Sequence, residues 1–508
     1  MEKSERLTAV ARLPLIGGSY VARSTIANVQ RCVNLFPEIN PKDNAPSPMT
    51  HYQRPGFRPL TQVGKGPIRA LYGASNGKGF AVSGAEVYYL DPNWQPTKIG
   101  DLTQAGTSPC SMIDNEVDLV LADNSTFGYS VDLATNQFSV LNDPSGTFIG
   151  ANKLDIIDGY VLFNIPGTPT FGSTLENVLT VDPLYTAAKN NYPGNLVTLG
   201  VNRHEILLLG TKKSEIWYNA GNPQFPFAEL PGSSIEHGCV APYSFATMDV
   251  NAYWLGADLQ GDGIVFRQTG YTTRRISNHA LEVAIRQMKR HGIISDAIGY
   301  THQQDGHTFY VLCFPSGDQT WVFDEAIGDP NLAWTQRAWT DANGVLHRDR
   351  SNCGAVINGL YVVGDWQNGT IYHLDPDTYT DTVDGVVGPI SFIRTFPHIF
   401  AGDGPQGPVL LDGKQVQVTS FIADVGVGDV PLDAQGQPAQ MLLRTSLDRG
   451  RTWGQALLQS LGAPGEFLTQ PLWRQLGIGR DIIFELSYAC AGEAPLNGAW
   501  IEMQVLNK

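Results

Sequence analysis

Charged residues are scarce in this chain. They make up 16% of the 508 residues, against roughly 25% in typical soluble proteins, while aromatic residues reach 10%. Disordered chains combine few aromatic residues with a high charge density, so this composition excludes an intrinsically disordered protein. The formal net charge of −15 excludes a surface that binds nucleic-acid phosphates broadly.

Long hydrophobic runs and paired cysteines are also lacking. No stretch approaches the roughly 18 consecutive apolar residues that a membrane-spanning helix needs, and Arg12 interrupts the apolar N-terminal run. We therefore predict no membrane segment and no signal peptide. The six cysteines include no Cys-x-x-Cys pair, and Cys313 lies inside an apolar run. We interpret them as reduced core residues of a protein made in the cytosol.

Motifs of common enzymes are missing. The sequence has no Walker or dinucleotide-binding motif and no Gly-x-Ser-x-Gly nucleophile elbow at a strand-to-helix turn, and its ten histidines form no His-x-x-x-His or His-Glu-x-x-His pair. The glycine-rich stretch 73–84 leads into a predicted hairpin, so it lacks the strand-to-helix context of a phosphate-binding loop. The sequence therefore predicts no enzyme activity, no catalytic or metal-binding residues and no cofactor.

What the sequence does contain is a repeated strand–turn–strand pattern. It occurs seven times from residue 68 onward, with starts 38 to 56 residues apart. A four-stranded propeller blade takes about 40 to 45 residues, and a ring of blades buries faces that one hairpin cannot bury alone. We predict an all-β fold with a β-propeller of seven blades; six blades and two stacked sandwiches are the alternatives. The repeated hairpins are 79–91, 117–132, 159–172, 205–219, 252–268, 308–325 and 360–375.

The repeats divide the chain into three predicted parts. Residues 1–67 have weak periodicity and are predicted to form an extended N-terminal arm that partly completes the propeller. We expect residues before the first hairpin, including the run 63–72, to supply the strand that closes the last blade. Residues 68–385 form the predicted propeller. Residues 386–508 carry strand-like runs between Gly and Pro loops, which predicts a C-terminal antiparallel β-sandwich.

One short helix interrupts the strand pattern. Apolar residues recur at helical spacing between the possible N-caps Ser277 and Asn278 and the terminating Gly292. Its other face and the preceding turn form the most basic patch of the chain. A contact with nucleic acid or an acidic partner is conceivable, but a solvated helix face is favoured because no aromatic residues interleave. The patch consists of Arg274, Arg275, Arg286, Lys289 and Arg290.

Two acidic loops suggest calcium sites. Neither has the twelve-residue spacing with a terminal glutamate that calcium-binding loops use. Asp and Gly are common in hairpin turns, so ordinary turn chemistry is the favoured interpretation. The first loop carries Asp258, Asp262 and Gly263, and the second carries Asp375, Asp377, Asp381 and Asp384.

One segment resembles the aspartate box, S-x-D-x-G-x-T-W, of sialidases and related propellers. In those families the box is a structural hairpin brace, in which the aspartate accepts backbone amides and the glycine permits the bend. It occurs once here, within the predicted sandwich, so we interpret it as a structural turn. The matching residues are Ser446, Asp448, Gly450, Thr452 and Trp453.

Two alternative functions remain open at this point. A carbohydrate-active, sialidase-like enzyme would use paired carboxylates at the propeller axis and aromatic side chains that stack on sugars. The candidates for stacking are Trp94, Trp254 and Trp366. A host scaffold propeller of general interaction type is the second alternative.

Several short strings point to a more specific function. Residues 31–38 and 54–57, the hairpin 210–218 and the turn into the helix at 276–282 occur in an order that resembles one protein family. It is the family of packaged-DNA stabilisation proteins of short-tailed bacteriophages, the tail hub or nozzle of podoviruses. The likeness extends from about residue 30 to the C-terminus. The family-like residues are Asn34, Phe36, Pro37, Arg54, Pro55, Gly56, Phe57, Ser214, Glu215 and Trp217.

This resemblance implies a structural protein of the virion, made in the cytoplasm of the bacterial host and located in the phage tail. It implies a homo-hexameric ring below the portal and the head-to-tail adaptor, which extends the DNA channel and helps to retain packaged DNA. The ring would anchor a tail needle and tailspikes, and no membrane is involved. DNA would pass without sequence-specific binding, and the charge of −15 suits such a conduit because phosphate contacts would slow the DNA.

Overall fold

The computed structural model describes the chain except residues 1–7, 42–46, 142, 144–145, 175–177, 179–180, 259, 400, 405–406, 411–413 and 507–508. Parts of the predicted N-terminal arm, 1–7 and 42–46, therefore lie outside the described residues. No helix in the described part of the chain is long and apolar enough to cross a membrane.

The N-terminal residues form strands that pair with both later parts of the chain. The strands are β1 (Thr8–Pro14), β2 (Tyr20–Val21), β3 (Val29–Gln30), β4 (Cys32–Val33), β5 (Leu35–Ile39), β6 (Met49–Gln53) and β7 (Gly56–Gln62). Strands β2 and β3 pair with each other, as do β5 and β6. The predicted arm is therefore folded against its own chain over its described residues.

Five separate four-stranded antiparallel sheets follow. The first three comprise β8 (Ile68–Gly73), β9 (Gly79–Ser83), β10 (Glu86–Leu90) and β11 (Pro96–Asp101); β12 (Ser111–Asp114), β13 (Asp118–Ala122), β14 (Gly128–Asp132) and β15 (Phe138–Val140); and β16 (Leu154–Ile157), β17 (Tyr160–Asn164), β18 (Thr170–Ser173) and β19 (Thr186–Ala188). The next two comprise β20 (Leu196–Asn202), β21 (Glu205–Gly210), β22 (Ser214–Asn219) and β23 (Phe227–Ile235); and β24 (Ala246–Met248), β25 (Asn251–Ala257), β26 (Gly263–Thr269) and β27 (Thr272–Arg275).

Two further blades complete the ring. The sixth contains β28 (Ile298–Gln304), β29 (His307–Phe314), β30 (Gln319–Asp324) and β31 (Trp334–Thr340), with β32 (Leu346–Arg348) paired to β31. The seventh contains β33 (Ser351–Ile357), β34 (Leu360–Asp365) and β35 (Thr370–Asp375), and takes β7 as its outer strand. Each predicted hairpin forms the second and third strands of one blade, so the prediction of a seven-bladed propeller is confirmed.

Tight turns connect the inner strands of the blades to these hairpins. Asp305–Gly306 and Asn358–Gly359 both have positive φ angles at two consecutive residues, as a type I′ turn requires. Asn, Asp and Gly tolerate this left-handed conformation better than other residues.

The strand that closes the ring differs from the expected one. Strand β7 pairs with β35 over six Cα partners, whereas residues 68–73 form β8, the innermost strand of the first blade. Residues before the first hairpin therefore close the last blade, as expected, but the strand is 56–62, and the prediction of the run 63–72 is wrong. The physical reason is burial: β8 lies between neighbouring blades and needs an apolar run, while β7 lies at an outer edge and leaves Arg58 and Pro59 exposed.

The predicted helix is α1 (His279–His291), and a short helix, α2 (Pro330–Ala333), precedes β31. Asn278 caps α1 by accepting a hydrogen bond from the Leu281 amide at 2.8 Å. Leu281 and Ile285 are fully buried against the fifth and sixth blades. Single 3₁₀ turns lie at Pro183–Tyr185, Pro242–Ser244 and Glu325–Ile327.

The C-terminal part is an antiparallel sandwich of two sheets, as predicted. Its strands are β36 (Thr380–Val383), β37 (Val386–Thr395), β38 (Ala401–Gly404), β39 (Gly407–Leu410), β40 (Gln415–Val425), β41 (Gln440–Ser446), β42 (Leu457–Ser460), β43 (Leu472–Gly479), β44 (Ile483–Cys490) and β45 (Leu496–Leu506). One sheet has the order β39-β38-β1-β45-β40-β43, and the other contains β4-β37-β44-β41-β42. Phe392, Phe421 and Phe484 are fully buried between them.

The sandwich and the propeller share one sheet. Strand β31, at the outer edge of the sixth blade, pairs in parallel with β4, and β4 pairs with β37 of the sandwich. The hydrogen-bonded ladder therefore runs from the propeller axis into the sandwich without a linker. We call this region, where β4, β31 and β37 meet, the joint.

Candidate functional site

The arginine of the 54–57 motif lies buried beside the joint. The Arg54 guanidinium, 1% exposed, donates to both carboxylate oxygens of Asp381, at 3.1 and 2.5 Å. It also donates to the Pro55 carbonyl at 2.8 Å and lies 4.8 Å from the Phe57 ring centroid. Asp381 in turn accepts the Phe57 amide at 3.1 Å. This bidentate pair fixes the start of β7 against the first strand after the propeller.

Asn34 connects the same arginine to both domains. Its amide group donates to the carbonyls of Ala338, in the propeller, and Ser391, in the sandwich, at 2.9 and 2.8 Å. Its side-chain oxygen accepts the Ala338 amide and Arg54 Nε, at 2.9 and 3.1 Å. Asn34 has a φ of 60°, a conformation that asparagine tolerates better than most residues. Its backbone also pairs with Gln336 and Arg54.

The remaining residues of these two motifs pack around the joint. A Cβ atom on Gly56 would lie 2.2 Å from the Thr380 carbonyl oxygen, so only glycine fits there. The Phe36 ring packs edge-on against Phe309 of the sixth blade at 5.4 Å, and Pro37 follows it in β5. Phe57 packs against Tyr372 at 5.3 Å. The family-like motifs at 34–37 and 54–57 therefore form one buried contact region.

The third family-like motif lies in the fourth blade, away from the joint. Glu215, 1% exposed, accepts Trp217 Nε1 and the Asn191 amide, both at 3.0 Å. Its nearest cation is Lys189, at 3.9 Å. Ser214 Oγ donates to the His237 carbonyl at 2.8 Å. These buried residues tie the loop before β20 to β22.

The aspartate-box segment forms a tight turn between β41 and β42. The Asp448 carboxylate accepts the Thr452 hydroxyl at 2.6 Å, the Thr452 amide at 2.8 Å and the Arg451 amide at 3.1 Å. Ser446 Oγ donates to Asp448 and accepts the Gly450 amide, both at 2.8 Å. Trp453 is half-buried, with the Arg444 guanidinium 5.5 Å from its ring centroid.

The turn has a measurable acid–base signature. The hydrogen bonds from Thr452 and its neighbours lower the pKa of Asp448 from 3.8 to about 2. Because the folded pKa lies below the unfolded one, ionised Asp448 stabilises the turn above about pH 4. That contribution is lost as the pH falls through 2. We expect a carboxyl titration followed by NMR to give a pKa near 2 for Asp448. In Thr452→Ala this pKa should rise towards the ordinary value. An unshifted pKa in the wild type would contradict the hydrogen bonds described for this turn.

Ion pairs neutralise part of the predicted basic patch. Arg286 Nε donates to Asp262 at 2.7 Å, and Arg275 pairs with Glu282. The Lys289 ammonium donates to the Gly261 carbonyl at 2.5 Å. Asp262 is a residue of the first acidic loop, so that loop and the basic patch form an ion pair. In the same loop Asp258 accepts two backbone amides of its own turn. Arg274 and Arg290 are exposed, and their contact with a partner stays a prediction.

The second acidic loop is spread out rather than convergent. Asp381 pairs with Arg54, while Asp384 accepts the Asn368 amide group at 2.7 Å. Asp375 accepts the Asp377 amide and lies 3.3 Å from Arg58. Within the described residues, no group of three or more His, Cys, Asp or Glu side chains could hold a metal ion.

The propeller axis contains two cavities, of about 180 and 770 Å³. Among the described residues that line them, Asp296 is the single carboxylate, so they lack the paired carboxylates of a glycosidase. Of the three candidate sugar-stacking residues, Trp254 is fully buried, which makes that expectation wrong. Trp94 and Trp366 are half-buried, and the Arg348 guanidinium stacks 4.1 Å from the Trp366 ring centroid.

Comparison with known proteins agrees with the joint motifs. A family model described as bacteriophage P22 Gp10, beta-propeller, matches residues 11–379. The chain belongs to this family. The match includes β4 and β31 of the joint and all seven propeller hairpins; it ends two residues before Asp381, so β37 lies outside it. Members of the P22 Gp10 family are structural phage proteins of the tail, and the family is not one of enzymes.

The comparisons with curated proteins and with solved structures give no further information on function. No curated protein matches the chain. Among solved structures, the chain is similar to the WD40 β-propeller domain of Doa1, with 13% identity and a TM-score of 0.39 over 63% of this chain and 98% of that one. It is also similar to a chain of the mitotic checkpoint complex, with 9% identity and a TM-score of 0.40 over 66% and 95% of the two chains.

Sequence reasoning missed the partners of the joint residues. Asp381 was assigned only to a possible calcium loop, and Arg394 was not singled out. Arg394 is fully buried and donates to backbone carbonyls of the N-terminal segment, including Gly17 and Gly18 at 2.9 and 2.7 Å. An arginine inside an apolar strand run was the available signal, since buried charges need dedicated partners.

Proposed function

We propose that this protein is the tail hub, or nozzle, of a short-tailed phage. In this proposal six copies form a ring below the portal and the head-to-tail adaptor and extend the DNA channel. The ring helps to retain packaged DNA and anchors the tail needle and the tailspikes. The observation that carries the proposal is the P22 Gp10 family match across the N-terminal strands and the propeller.

The joint supports a mechanical role. A tail part must transmit load between head, needle and spikes without internal hinges. Here the propeller and sandwich share the β31-β4-β37 ladder, and Arg54, Asn34 and Asp381 form a buried hydrogen-bonded network beside it. Buried polar networks with satisfied partners rigidify a structure. The two domains therefore offer broad faces in a fixed relative orientation for several partners.

The ring interface is proposed to be heterologous, with one surface of each copy against a different surface of the next. The charge of −15 would then favour a channel that DNA traverses without binding. Synthesis in the bacterial cytoplasm and incorporation into the virion complete the proposal.

The test is electron microscopy of the full chain mixed with the portal and adaptor proteins encoded beside it. We expect six copies in a channelled ring below the adaptor. The same reconstruction shows which charges line the channel, and a lumen lined mainly by Lys and Arg would contradict the proposed acidic conduit. No association with the portal–adaptor complex would overturn the hub assignment.

A further inference from the structure

The two cavities at the propeller axis are adjacent and share part of their lining. The inner one, about 180 Å³, lies among the innermost strands of the first, second, sixth and seventh blades. The outer one, about 770 Å³, lies among loops at one mouth of the axis. Pro109, Tyr243, Ile298 and Asn352 line both. The outer cavity alone is in the range of pockets that bind small ligands, about 300–1,000 Å³.

Two cations line the inner cavity. The Arg69 guanidinium, 2% exposed, donates to the carbonyls of Ser108 and Gly84 at 2.6 and 2.9 Å. Lys153 lies with its ammonium 5.8 Å from the Phe245 ring centroid. The charges of Lys153 and Asp155 interact with each other. Burial lowers the pKa of Lys153, opposed by the charge of Asp155, whose carboxylate accepts the Val201 amide at 2.7 Å.

Further polar atoms at the mouth lack partners. Arg348 is 7% exposed, and its Nη1 makes no hydrogen bond within the described structure. The Tyr243 hydroxyl and Asp296 Oδ1 are also buried without a partner. A buried unpaired polar atom costs about 1–3 kcal/mol, so such a group in a native protein calls for an explanation. A bound hydrogen-bond acceptor explains two of these atoms, Arg348 Nη1 and the Tyr243 hydroxyl, whereas the Asp296 carboxylate requires a donor.

The walls of the mouth are partly apolar. Four prolines line it together with Trp366, Tyr243 and Ile293: Pro67, Pro109, Pro242 and Pro315. Apolar walls with a few convergent polar groups are the usual chemistry of a ligand pocket. Walls of this kind accept the apolar part of a ligand, while the cations accept a negative charge. The accumulation of Arg69, Lys153 and Arg348 is notable in a chain with a net charge of −15.

We propose that the propeller axis binds a ligand that carries a carboxylate or phosphate group. The anion enters through the mouth, where the Tyr243 hydroxyl donates to it, and pairs with Lys153 in the inner cavity. A free small anion and an acidic side chain of a partner segment share this chemistry. The proposal rests on residues of the propeller alone and is independent of the tail-hub assignment.

The test uses the full-length protein and three probes: inorganic phosphate, citrate and a hexaglutamate peptide, at constant ionic strength. Isothermal calorimetry and the shift in melting temperature measure binding, with sodium chloride as the control titrant. We expect at least one probe to bind and to raise the melting temperature. Binding of phosphate or citrate identifies a free anion as the ligand, and binding of the peptide alone identifies a partner segment.

Matched variants locate the site. Lys153→Met keeps the length of the side chain without its charge and should weaken binding about tenfold, because a charge-assisted hydrogen bond is lost. Tyr243→Phe should weaken it less, since a neutral donor is lost. Lys212→Met removes an exposed lysine of the fourth blade and should bind like the wild type. The proposal is overturned if no probe binds, or if Lys153→Met and Tyr243→Phe both bind as tightly as the wild type.

Discussion

Replacing Asp381 with alanine is expected to lower the free energy of unfolding by about 3–5 kcal/mol, the usual cost of leaving a buried charge without its partner. Arg54 is 1% exposed, and both of its terminal nitrogens donate to this carboxylate. The backbone amide of Phe57 would also lose its acceptor, which weakens the start of the strand that closes the propeller. Denaturant unfolding followed by tryptophan fluorescence measures the change.

Two control variants separate the buried ion pair from the loop around it. Asp377 is exposed in the same loop, so Asp377→Ala should change the free energy of unfolding by less than about 0.5 kcal/mol. The double variant Arg54→Met/Asp381→Leu removes both charges and should be more stable than Asp381→Ala alone. A loss below about 1 kcal/mol in Asp381→Ala would mean that the pair behaves like a surface ion pair.

The sequence predicted the propeller because its information is local. Each blade contributes an apolar hairpin with a polar or glycine turn, as between β34 and β35. The repeat of this signal at a fixed spacing is typical of a closed ring. The helix was equally local, since Asn278 and the apolar face from Leu281 to Met288 are adjacent in the chain.

The closing strand could not be predicted in the same way. Strand β7 has one face towards the last blade and leaves Arg58 and Pro59 exposed, so its hydrophobic pattern is weak. The apolar run at 68–73 gave the stronger signal because an inner strand is covered on both faces. Apolar content therefore identified a strand but not its position in the ring.

The motif residues at the joint could be recognised in the sequence, but their structural partners could not be predicted from it. Residues 34 and 54 stood out by resemblance to a family, yet their partners Ala338 and Asp381 lie 304 and 327 positions away along the chain. Similarly, Asp262 and Arg286 were assigned to separate acidic and basic features and form one ion pair. Charge patterns along a chain do not reveal which opposite charges the fold brings together.

Deleting residues 1–30 is expected to unfold the sandwich while the propeller stays folded. The deletion removes β1, which pairs with β45 over seven Cα partners. It also removes Leu13 and Leu15, both buried in the sandwich core, and each buried leucine contributes about 1.5–3 kcal/mol. Arg394 loses its acceptors at Ile16, Gly17, Gly18 and Gln30 and retains the Arg31 carbonyl.

These losses together are comparable with the stability of a whole domain, about 5–15 kcal/mol. We expect hydrogen exchange to show lost protection in β45 and β37 and unchanged protection in β21 and β22 of the fourth blade. Deletion of residues 1–7 leaves β1 in place and should preserve the hydrogen-exchange protection of both the sandwich and the propeller. If ring assembly of the 1–30 deletion fails while β45 stays protected, the N-terminal segment acts on a neighbouring subunit instead. If the sandwich unfolds, the assembly defect follows from the loss of a domain, because β1 belongs to the same sheet as β40 and β45.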